Sequence, residues 1–496
     1  MNNLNFLVDV LKESPVFKTL EKNVKPGRTV CASGLSTINK SNIIYALCRL
    51  KGVTAFCLAS DEKEAQTLCN DLSCMGLRAY VYPVRDFNFL DFQSRSHEYE
   101  HARLKVLLKL INHECDVAIA CVDAAAQLTV PRNVLEQSVI EFEEGRELSL
   151  EKATKALTLL GYERFDAVEG SGQFSLRGGI LDFFMPDSDY PVRCEFWGDE
   201  ITDLSYFDIE TQRRFKKADK ITLSPSTEIV IEDRAALADK IEHKAKLLRS
   251  KNSAKAKEKL FSEAELIRSG AMIANADKFI NQIYDKPESL FDYLDRNTLV
   301  FASEFTAIQE RGKSMDFISN ETLMQGFEDG TLCRGFDRFA LTFNECTEFL
   351  QSHGTIVLEN FVHGSMPIKL SEIISFSTKQ LSAWGGSYKQ LKEDVDGLFT
   401  PESKGVIFAG TERAAKNLCD TFNADGINAV YSEGADKISK GELLVMQGAL
   451  SAGFEYPSQK FFAITYSQVS YRPEKSKKKK KKTGQEIYSL SELAPG

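Results

Sequence analysis

The chain has 496 residues, which is too many for one hydrophobic core and predicts roughly three or four domains. Its hydrophobic content of 43% is ordinary for a soluble globular protein, and no apolar run is long enough to span a membrane. The net charge of −9 argues against broad binding of nucleic-acid phosphates. The 11 cysteines are scattered, which indicates reduced thiols, and Cys31, Cys57 and Cys121 lie in apolar runs typical of a core. We expect a cytoplasmic monomer without membrane contact.

The first part of the chain alternates strand patterns with helix patterns. An apolar strand, TVCAS (29–33), precedes the loop GLSTINKS (34–41). A helix then leads to a second strand, GVTAFCLAS (52–60), and a later strand reads CDVAIACV (115–122). Strands that alternate with helices predict a parallel sheet, so the fold class is α/β.

The loop GLSTINKS nearly matches the phosphate-binding P-loop pattern, G-x-x-x-x-G-K-[ST]. Gly34, Lys40 and Ser41 fit this pattern, but Asn39 stands in place of the second glycine. Thr37 replaces a further glycine of the helicase form, and its branched side chain adds bulk where backbone N–H groups must approach phosphate. The position between strand and helix is right for a nucleotide site, whereas the loop chemistry is degenerate.

The acidic residues that would hold Mg²⁺ are incomplete. Hydrolysis needs an acidic pair at the end of a later strand, and the candidate is LVFASEF (299–305). Ala302 and Ser303 occupy the region that should supply aspartate, and Glu304 lacks a metal-binding neighbour. We therefore predict a degenerate nucleotide site without ATP hydrolysis and without a cofactor. A DNA-binding or helicase fragment with residual nucleotide binding is the alternative.

The segment HEYEH, from His97 to His101, matches the zinc-binding pattern H-E-x-x-H. On a helix the two imidazoles would share a face, with Glu98 as the general base. A zinc site of this kind needs a third ligand, and the sequence suggests none among the other four histidines. We expect a solvated helix without metal, and a zinc peptidase is the remote alternative.

A small antiparallel unit of closely spaced strands is predicted over residues 172–212, and it includes YPVRCEFWGDE (190–200). Strand alternation places Arg193, Glu195 and Trp197 on the solvent face, opposite an apolar core face. Arginine beside an exposed tryptophan on a rigid sheet is typical of a protein-binding hot spot. An intramolecular salt bridge with Glu195 or Asp199 is the alternative role for the arginine.

A neighbouring strand in FSLRGGI (174–180) places Arg177 on the same expected surface. We expect Gly178 and Gly179 to form a β-bulge that redirects this strand. Arg177, Arg193 and Trp197 are therefore predicted to form one exposed partner-binding patch.

Residues 171–213 closely resemble the small second domain of the bacterial excision-repair family that includes UvrB and the transcription-repair coupling factors (Mfd). The resemblance rests on the string R-G-G-x-L-D-x-F-x-P, followed by P-V-R-x-E-F-[WF]-G-D-E-I. The stretch QGALSAGFEYPSQKFFAITYSQV (447–469) and the ending LSELAPG (490–496) look like the coupling factors in particular.

This resemblance implies that the chain is a recruitment module which couples stalled RNA polymerase to nucleotide excision repair. In the family, the matching surface docks on UvrA, and Arg177, Arg193 and Trp197 fall on its positions, although phenylalanine is usual at the last. RNA polymerase and double-stranded DNA would be contacted through C-terminal parts that this chain lacks. ATP and Mg²⁺ would likewise be used only in those missing motor domains, which make the full-length protein an ATP-dependent DNA translocase.

The predicted domains follow from these patterns and the resemblance. The first three are a degenerate helicase-like domain 1a (1–131), a small inserted UvrA-binding domain (132–225) and a domain 1b (226–350). An additional α/β domain (351–470), a lysine-rich linker (471–487) and the truncated start of a polymerase-interacting module (488–496) complete the prediction. The linker contains Lys475 and the run Lys477–Lys482.

Overall fold

The computed structural model describes residues 4–85, 97–138, 140–249, 253–270, 276–362, 366–385 and 387–466. The chain divides into two compact units. The first comprises Met1–Ala79, Asn297–Ile308 and Leu350–Gly496, and the second comprises Tyr80–Arg296 and Gln309–Phe349. The lysine run and the predicted segments 471–487 and 488–496 lie outside the described residues. The domain boundaries inferred from the sequence stay predictions.

The helices and strands are numbered in chain order. The helices are α1 (Asn5–Lys12), α2 (Pro15–Asn23), α3 (Thr37–Lys51), α4 (Glu62–Cys74), α5 (Glu98–Ile111), α6 (Val122–Ala126), α7 (Arg132–Gln137), α8 (Leu150–Leu159), α9 (Arg234–Leu247), α10 (Ser253–Arg268), α11 (Ile280–Ile283), α12 (Phe305–Asp329), α13 (Phe343–His353), α14 (Tyr388–Leu398) and α15 (Glu412–Ala424). The strands are β1 (Val30–Ser33), β2 (Ala55–Ala59), β3 (Ala79–Tyr82), β4 (Val117–Cys121), β5 (Ile140–Glu143), β6 (Glu163–Arg164), β7 (Gln173–Arg177), β8 (Ile180–Phe183), β9 (Val192–Trp197), β10 (Glu200–Phe207), β11 (Arg214–Lys217), β12 (Lys220–Leu223), β13 (Leu299–Ser303), β14 (Thr355–Leu358), β15 (Glu372–Ser375), β16 (Lys379–Leu381), β17 (Lys404–Phe408), β18 (Ala429–Tyr431), β19 (Glu442–Met446), β20 (Gly453–Tyr456) and β21 (Phe461–Thr465).

A parallel sheet in the first unit positions the degenerate loop. Its strands β15, β1, β14, β13 and β2 lie side by side, and every neighbouring pair is parallel. Strands β1, β2 and β14 are buried at every residue, as expected of short apolar runs in parallel sheets. The predicted strand–loop–helix order is confirmed, because β1 ends at Ser33 and α3 begins at Thr37. The carboxyl ends of these strands therefore bring the loop close to Glu304 and Glu359.

A second sheet in the same unit has the strand order β16-β20-β21-β17-β19-β18. The four strands β21, β17, β19 and β18 are parallel, whereas β16, β20 and β21 pair antiparallel. Helices α14 and α15 supply Leu391, Val395, Leu418 and Phe422 to its core. This region therefore has the α/β texture that the sequence predicts after residue 351.

The second unit contains a six-stranded sheet in the order β11-β10-β9-β8-β7-β6. Its neighbours are antiparallel except β6 and β7, which are parallel. Helix α8 packs on one face, where Leu157, Phe174, Phe183 and Leu204 belong to one core. The predicted antiparallel unit is thus present within an α/β fold, and the predicted fold class is confirmed.

The glycine pair between β7 and β8 differs from its prediction. Arg177 pairs directly with Ile180, so Gly178 and Gly179 form a two-residue hairpin turn. Gly178 has a φ of 62°, which such turns require and which glycine adopts without strain. The expected bulge is therefore wrong, because the chain reverses at this point instead of continuing.

The structure also shows the charged stretch after residue 232 and the three cysteines predicted to be buried. The charged stretch after residue 232 forms the helix pair α9 and α10, whose core includes Ile241 and Leu260. The side chains of Cys31, Cys57 and Cys121 are buried, as predicted. Among the described residues, no helix combines the length and apolar character needed to cross a membrane.

Candidate functional site

Two backbone donors of the P-loop-like segment are already bonded within the first unit. The N–H of Gly34 donates to the carbonyl oxygen of Asn360 at 3.1 Å, and that of Leu35 donates to the carbonyl oxygen of Glu359 at 3.1 Å. A working P-loop turns such N–H groups toward phosphate. Gly34 has a φ of 79°, and a Cβ atom there would overlap the carbonyl oxygen of Phe376. The segment is therefore packed against other parts of its own unit.

The side chain of Lys40 is enclosed by acceptors. Its ammonium lies 2.6 Å from the carboxylate of Glu304, 2.9 Å from the hydroxyl of Ser303 and 3.2 Å from the carboxylate of Glu64. Only 2% of Lys40 is exposed. Burial alone would raise the pKa of Glu64, but Lys40 and the donors from Ser303 and Ser60 lower it overall. In this arrangement carboxylates occupy the place around the lysine that phosphate oxygens take in a P-loop.

Glu304 and Glu359 form an acidic pair beside this lysine. Glu304 has a left-handed backbone, with a φ of 55°, and also accepts the N–H of Asn360 at 2.9 Å. Glu359 is fully buried and accepts the N–H of Phe305 at 2.8 Å. Burial and the nearby Glu304 carboxylate together raise the pKa of Glu359 to about 7, against the lowering effect of the Phe305 N–H. The predicted site residues Gly34, Lys40 and Glu304 are thus brought together, whereas Glu64 and Glu359 were missed.

Polar residues of α3 contact the later α/β region of the same unit. Ser41 donates to the carboxylate of Asp71 at 3.3 Å, and Ser451 donates to it through both its N–H and its hydroxyl at 2.7 Å. Asn42 donates to the hydroxyl of Tyr456 at 3.2 Å. Thus Ser41, a predicted residue of the degenerate nucleotide site, contributes here to packing.

The start of α3 fixes the remaining two predicted loop residues. The hydroxyl of Ser36 donates to the side-chain oxygen of Asn39 at 2.6 Å, and Asn39 is fully buried. Thr37 is the first residue of α3, and its carbonyl oxygen accepts the hydroxyl of Ser41 at 3.3 Å. Both residues therefore serve the local helix start.

The six-stranded sheet of the second unit has a polar face opposite α8, which we call the outer face and define by Arg177, Asp182, Arg193 and Trp197. Asp182 on β8 pairs in register with Arg193 on β9. Its carboxylate also accepts a hydrogen bond from Arg177 at 2.7 Å, and its side chain is only 1% exposed. A single buried carboxylate therefore fixes both arginines.

Arg193 is less exposed than its strand position predicts. Its guanidinium donates two hydrogen bonds of 2.8 Å to Asp182 and also donates to the backbone and side-chain oxygens of Gln212. The guanidinium carbon lies 4.4 Å from the ring centre of Phe207, and 13% of the side chain is exposed. The sequence-based expectation of a freely exposed arginine is wrong, since the guanidinium is held within the sheet surface.

The remaining outer-face residues have contrasting environments. Trp197 is 82% exposed at the end of β9, and 50% of the Arg177 side chain is exposed. Glu195, a predicted alternative partner of Arg193, instead binds Arg214. Alternation along β9 thus holds, but the ion pair made by Arg193 is with Asp182, which the sequence did not indicate.

Three side chains of the HEYEH segment contact other groups of the protein. His97 lies 2.9 Å from the carboxylate of Glu100, and His101 lies 3.1 Å from the hydroxyl of Ser226. Glu100 accepts the N–H of Glu228 at 2.8 Å, so the expected solvated helix is wrong at this residue. Burial opposes ionisation, but the bond to His97 and other donors lower the pKa of Glu100 to about 2. Within the described residues, no group of three His, Cys, Asp or Glu side chains is arranged to hold a metal ion.

A buried ionic cluster beside this segment was not predicted. Arg103 is fully buried and donates to Glu228 at 2.6 Å and to Gln127 at 2.8 Å. Its guanidinium carbon lies 4.2 Å from the ring centre of Tyr82, and Arg85 pairs with Asp277 at 3.2 Å in the same unit. Because its charges are buried and paired, the cluster specifies packing in this unit.

Comparison with known proteins places these sites in a family context. Residues 140–229 match the family model described as the UvrB interaction domain, and this span contains the outer face. Over 502 residues the chain is 26% identical to the transcription-repair-coupling factor of Bacillus subtilis, covering 98% of this chain and 42% of that protein.

The chain is similar over most of its length to transcription-repair-coupling factors. The coupling factor of Staphylococcus aureus (strain MRSA252) is 22% identical over 507 residues, which cover 99% of this chain and 43% of that protein. That of Staphylococcus epidermidis (strain RP62A) is 25% identical over 440 residues, covering 84% and 36%. The chain therefore spans less than half of the length of these coupling factors. The resemblance seen in the sequence is confirmed.

Proposed function

We propose that this chain acts as the N-terminal recruitment module of a transcription-repair-coupling factor and binds UvrA through the outer face. The observation that carries the proposal is the convergence of Arg177 and Arg193 on Asp182, beside an exposed Trp197. This arrangement lies within the matched UvrB interaction domain. Binding would deliver excision-repair proteins to stalled RNA polymerase.

Physical chemistry supports the choice of these side chains. Tryptophan and arginine are enriched in the residues that dominate binding energy at protein interfaces. Asp182 holds both guanidiniums in place before a partner arrives, which lowers the entropy lost on binding. Half of the Arg177 side chain stays exposed, so Arg177 and Trp197 would make most of the direct contact while Arg193 positions the surface.

A titration of UvrA with the chain tests the proposal. Arg177→Ala should weaken binding by about 2 kcal/mol, or roughly thirtyfold, without loss of folding. Phe215→Ala is a matched control, because Phe215 is an aromatic residue that is half exposed on strand β11 of the same sheet. Equal UvrA affinity of the parent and of Arg177→Ala and Trp197→Ala variants would place the UvrA site elsewhere.

We also propose that the chain hydrolyses no ATP and carries no cofactor. This is supported by the carboxylate partners of Lys40 and by the bonded N–H groups of Gly34 and Leu35. A helicase fragment, which is the alternative, would need Lys40 and these N–H groups to bind the phosphates of a nucleotide. Contacts with RNA polymerase and with double-stranded DNA are proposed for parts of the longer coupling factors that this chain does not match.

A further inference from the structure

A groove in the second unit lies apart from the outer face. It encloses about 460 Å³ between helix α8, strands β6 and β7 and the first residue of α9. Its lining residues are Thr154, Lys155, Thr158, Leu159, Arg164, Phe174, Leu176 and Arg234.

The groove and the outer face are on opposite sides of the sheet. Along β7, Phe174 and Leu176 point toward the α8 side, whereas Ser175 and Arg177 point toward the outer face. One partner could therefore occupy the groove while another occupies the outer face.

The lining combines an apolar floor with a basic rim. Phe174 and Leu176 close the floor, and Leu159 leaves 44% of its surface exposed at the groove. The rim carries Lys155 and Arg164, together with Arg234, and none of the described lining residues is acidic. This is a concentration of positive charge in a chain whose net charge is −9.

The ion pair made by Lys155 leaves the charge of its ammonium accessible. Lys155 pairs with Glu151 at 3.1 Å, one turn earlier on α8, and both side chains are more than three quarters exposed. Such exposed pairs contribute little, so a carboxylate of a partner can compete for Lys155.

The short strand β6 contributes Arg164 to the groove. Strand β6 is the last strand on its side of the six-stranded sheet. An extended segment can add to such an edge through main-chain hydrogen bonds, while alternate side chains enter a neighbouring groove.

We propose that this groove binds an extended acidic protein segment that carries an apolar side chain. The carboxylates would meet Lys155 and Arg164, and the apolar side chain would contact Leu159 and Leu176. A protein segment fits better than a nucleic acid, because Phe174, the aromatic residue among the described lining residues, is only 3% exposed and offers no open ring face on which a base could stack.

Selection from a displayed library of random peptides on the intact chain tests this inference. Peptides that bind the parent are counter-selected on the Lys155→Glu, Arg164→Glu double variant. We expect enrichment of peptides in which Asp or Glu flanks Leu or Phe, with affinities that fall about tenfold or more in the double variant and with added salt. Selected peptides without acidic enrichment, or with equal affinity for the double variant, would overturn the proposal.

Matched controls distinguish a specific loss of binding in the groove from a general change in charge, folding or UvrA binding. Lys152→Glu reverses an exposed charge on the same helix but outside the lining, and it should leave peptide affinity unchanged. The double variant should keep the melting temperature and UvrA affinity of the parent. If a single-stranded oligonucleotide, and no selected peptide, loses affinity in the double variant, the groove is a nucleic-acid surface and the proposal is wrong.

Discussion

Asp182 and Arg193 face each other across β8 and β9 and share two hydrogen bonds of 2.8 Å. The two residues belong to the candidate binding surface, and their hydrogen bonds also stabilise the sheet. We therefore expect substitution of Arg193 to affect folding as well as the proposed recognition.

We expect Arg193→Ala to lower both the melting temperature and the affinity for UvrA. Asp182 would lose its main partner while buried, which costs about 1–3 kcal/mol of the free energy of unfolding. Thermal unfolding followed by circular dichroism, together with a UvrA titration, measures both effects. The double variant Arg193→Ala, Asp182→Ala should recover part of the stability but not the affinity. Full stability of the single variant would contradict the structural role.

Trp197→Ala should separate binding from folding. Because Trp197 is 82% exposed, its loss should leave the melting temperature nearly unchanged. We expect UvrA affinity to fall by about 2 kcal/mol or more, as for truncation of a central aromatic contact. Trp197→Phe should keep most of the affinity, because the aromatic surface is retained. A Trp197→Ala variant that binds as well as Phe215→Ala would remove Trp197 from the interface.

Lys40→Met tests the degenerate nucleotide site. We expect phosphate release from ATP to stay at background in the parent and in the variant, with and without DNA. The melting temperature should fall, because Glu64 and Glu304 lose their shared cation. Lys51→Met is the control, since Lys51 lies exposed at the end of the same helix. Parental ATP turnover that disappears in Lys40→Met would show a working site.

Asp71→Asn should change the pH dependence of stability. Burial raises the pKa of Asp71 from 3.8 to about 6, although the donors from Ser451 and Ser41 oppose this. A raised carboxyl pKa stabilises the fold most below the unfolded value, and this stabilisation is lost as the pH rises through about 6. Asparagine has no proton to lose and can keep bonds to both serines.

The free energy of unfolding of Asp71→Asn should therefore depend less on pH between about 4 and 6, by an amount on the order of 2–3 kcal/mol. Urea unfolding across this range measures the difference. Asp420→Asn, at an exposed position of the same unit, should keep the parental pH profile. Parallel profiles for Asp71→Asn and the parent would show that Asp71 is ionised throughout the range.

Local patterns predicted much of the fold. Alternation placed Trp197 on the exposed side of β9, and the strand–loop–helix order around Gly34 was confirmed, because both depend on residues adjacent in sequence. The turn at Gly178 was missed because a glycine pair permits a bulge or a reversal, and only the pairing of β7 with β8 decides between them.

The partners of the site residues could not be predicted. Lys40 meets Ser303 across a separation of 263 residues, which only the parallel sheet brings together. Arg193 had nearer acidic candidates in Glu195 and Asp199, but strand register selects Asp182. Charge alone does not encode register, so the sequence indicated that a cation was present without indicating its counter-ion.

The hydrogen bonds from Gly34 and Leu35 to carbonyl oxygens of the same chain have a consequence for regulation. A nucleotide leaves its loop when its concentration drops or its phosphate is cleaved, and that departure is the signal in a motor. Here the loop N–H groups bind carbonyl oxygens of the same chain, so the effective concentration of these acceptors is fixed by chain geometry. If the loop holds no nucleotide, as proposed, it would stay in one state and transmit no signal of cellular energy supply. Switching of this chain would then come from partners that bind its surfaces.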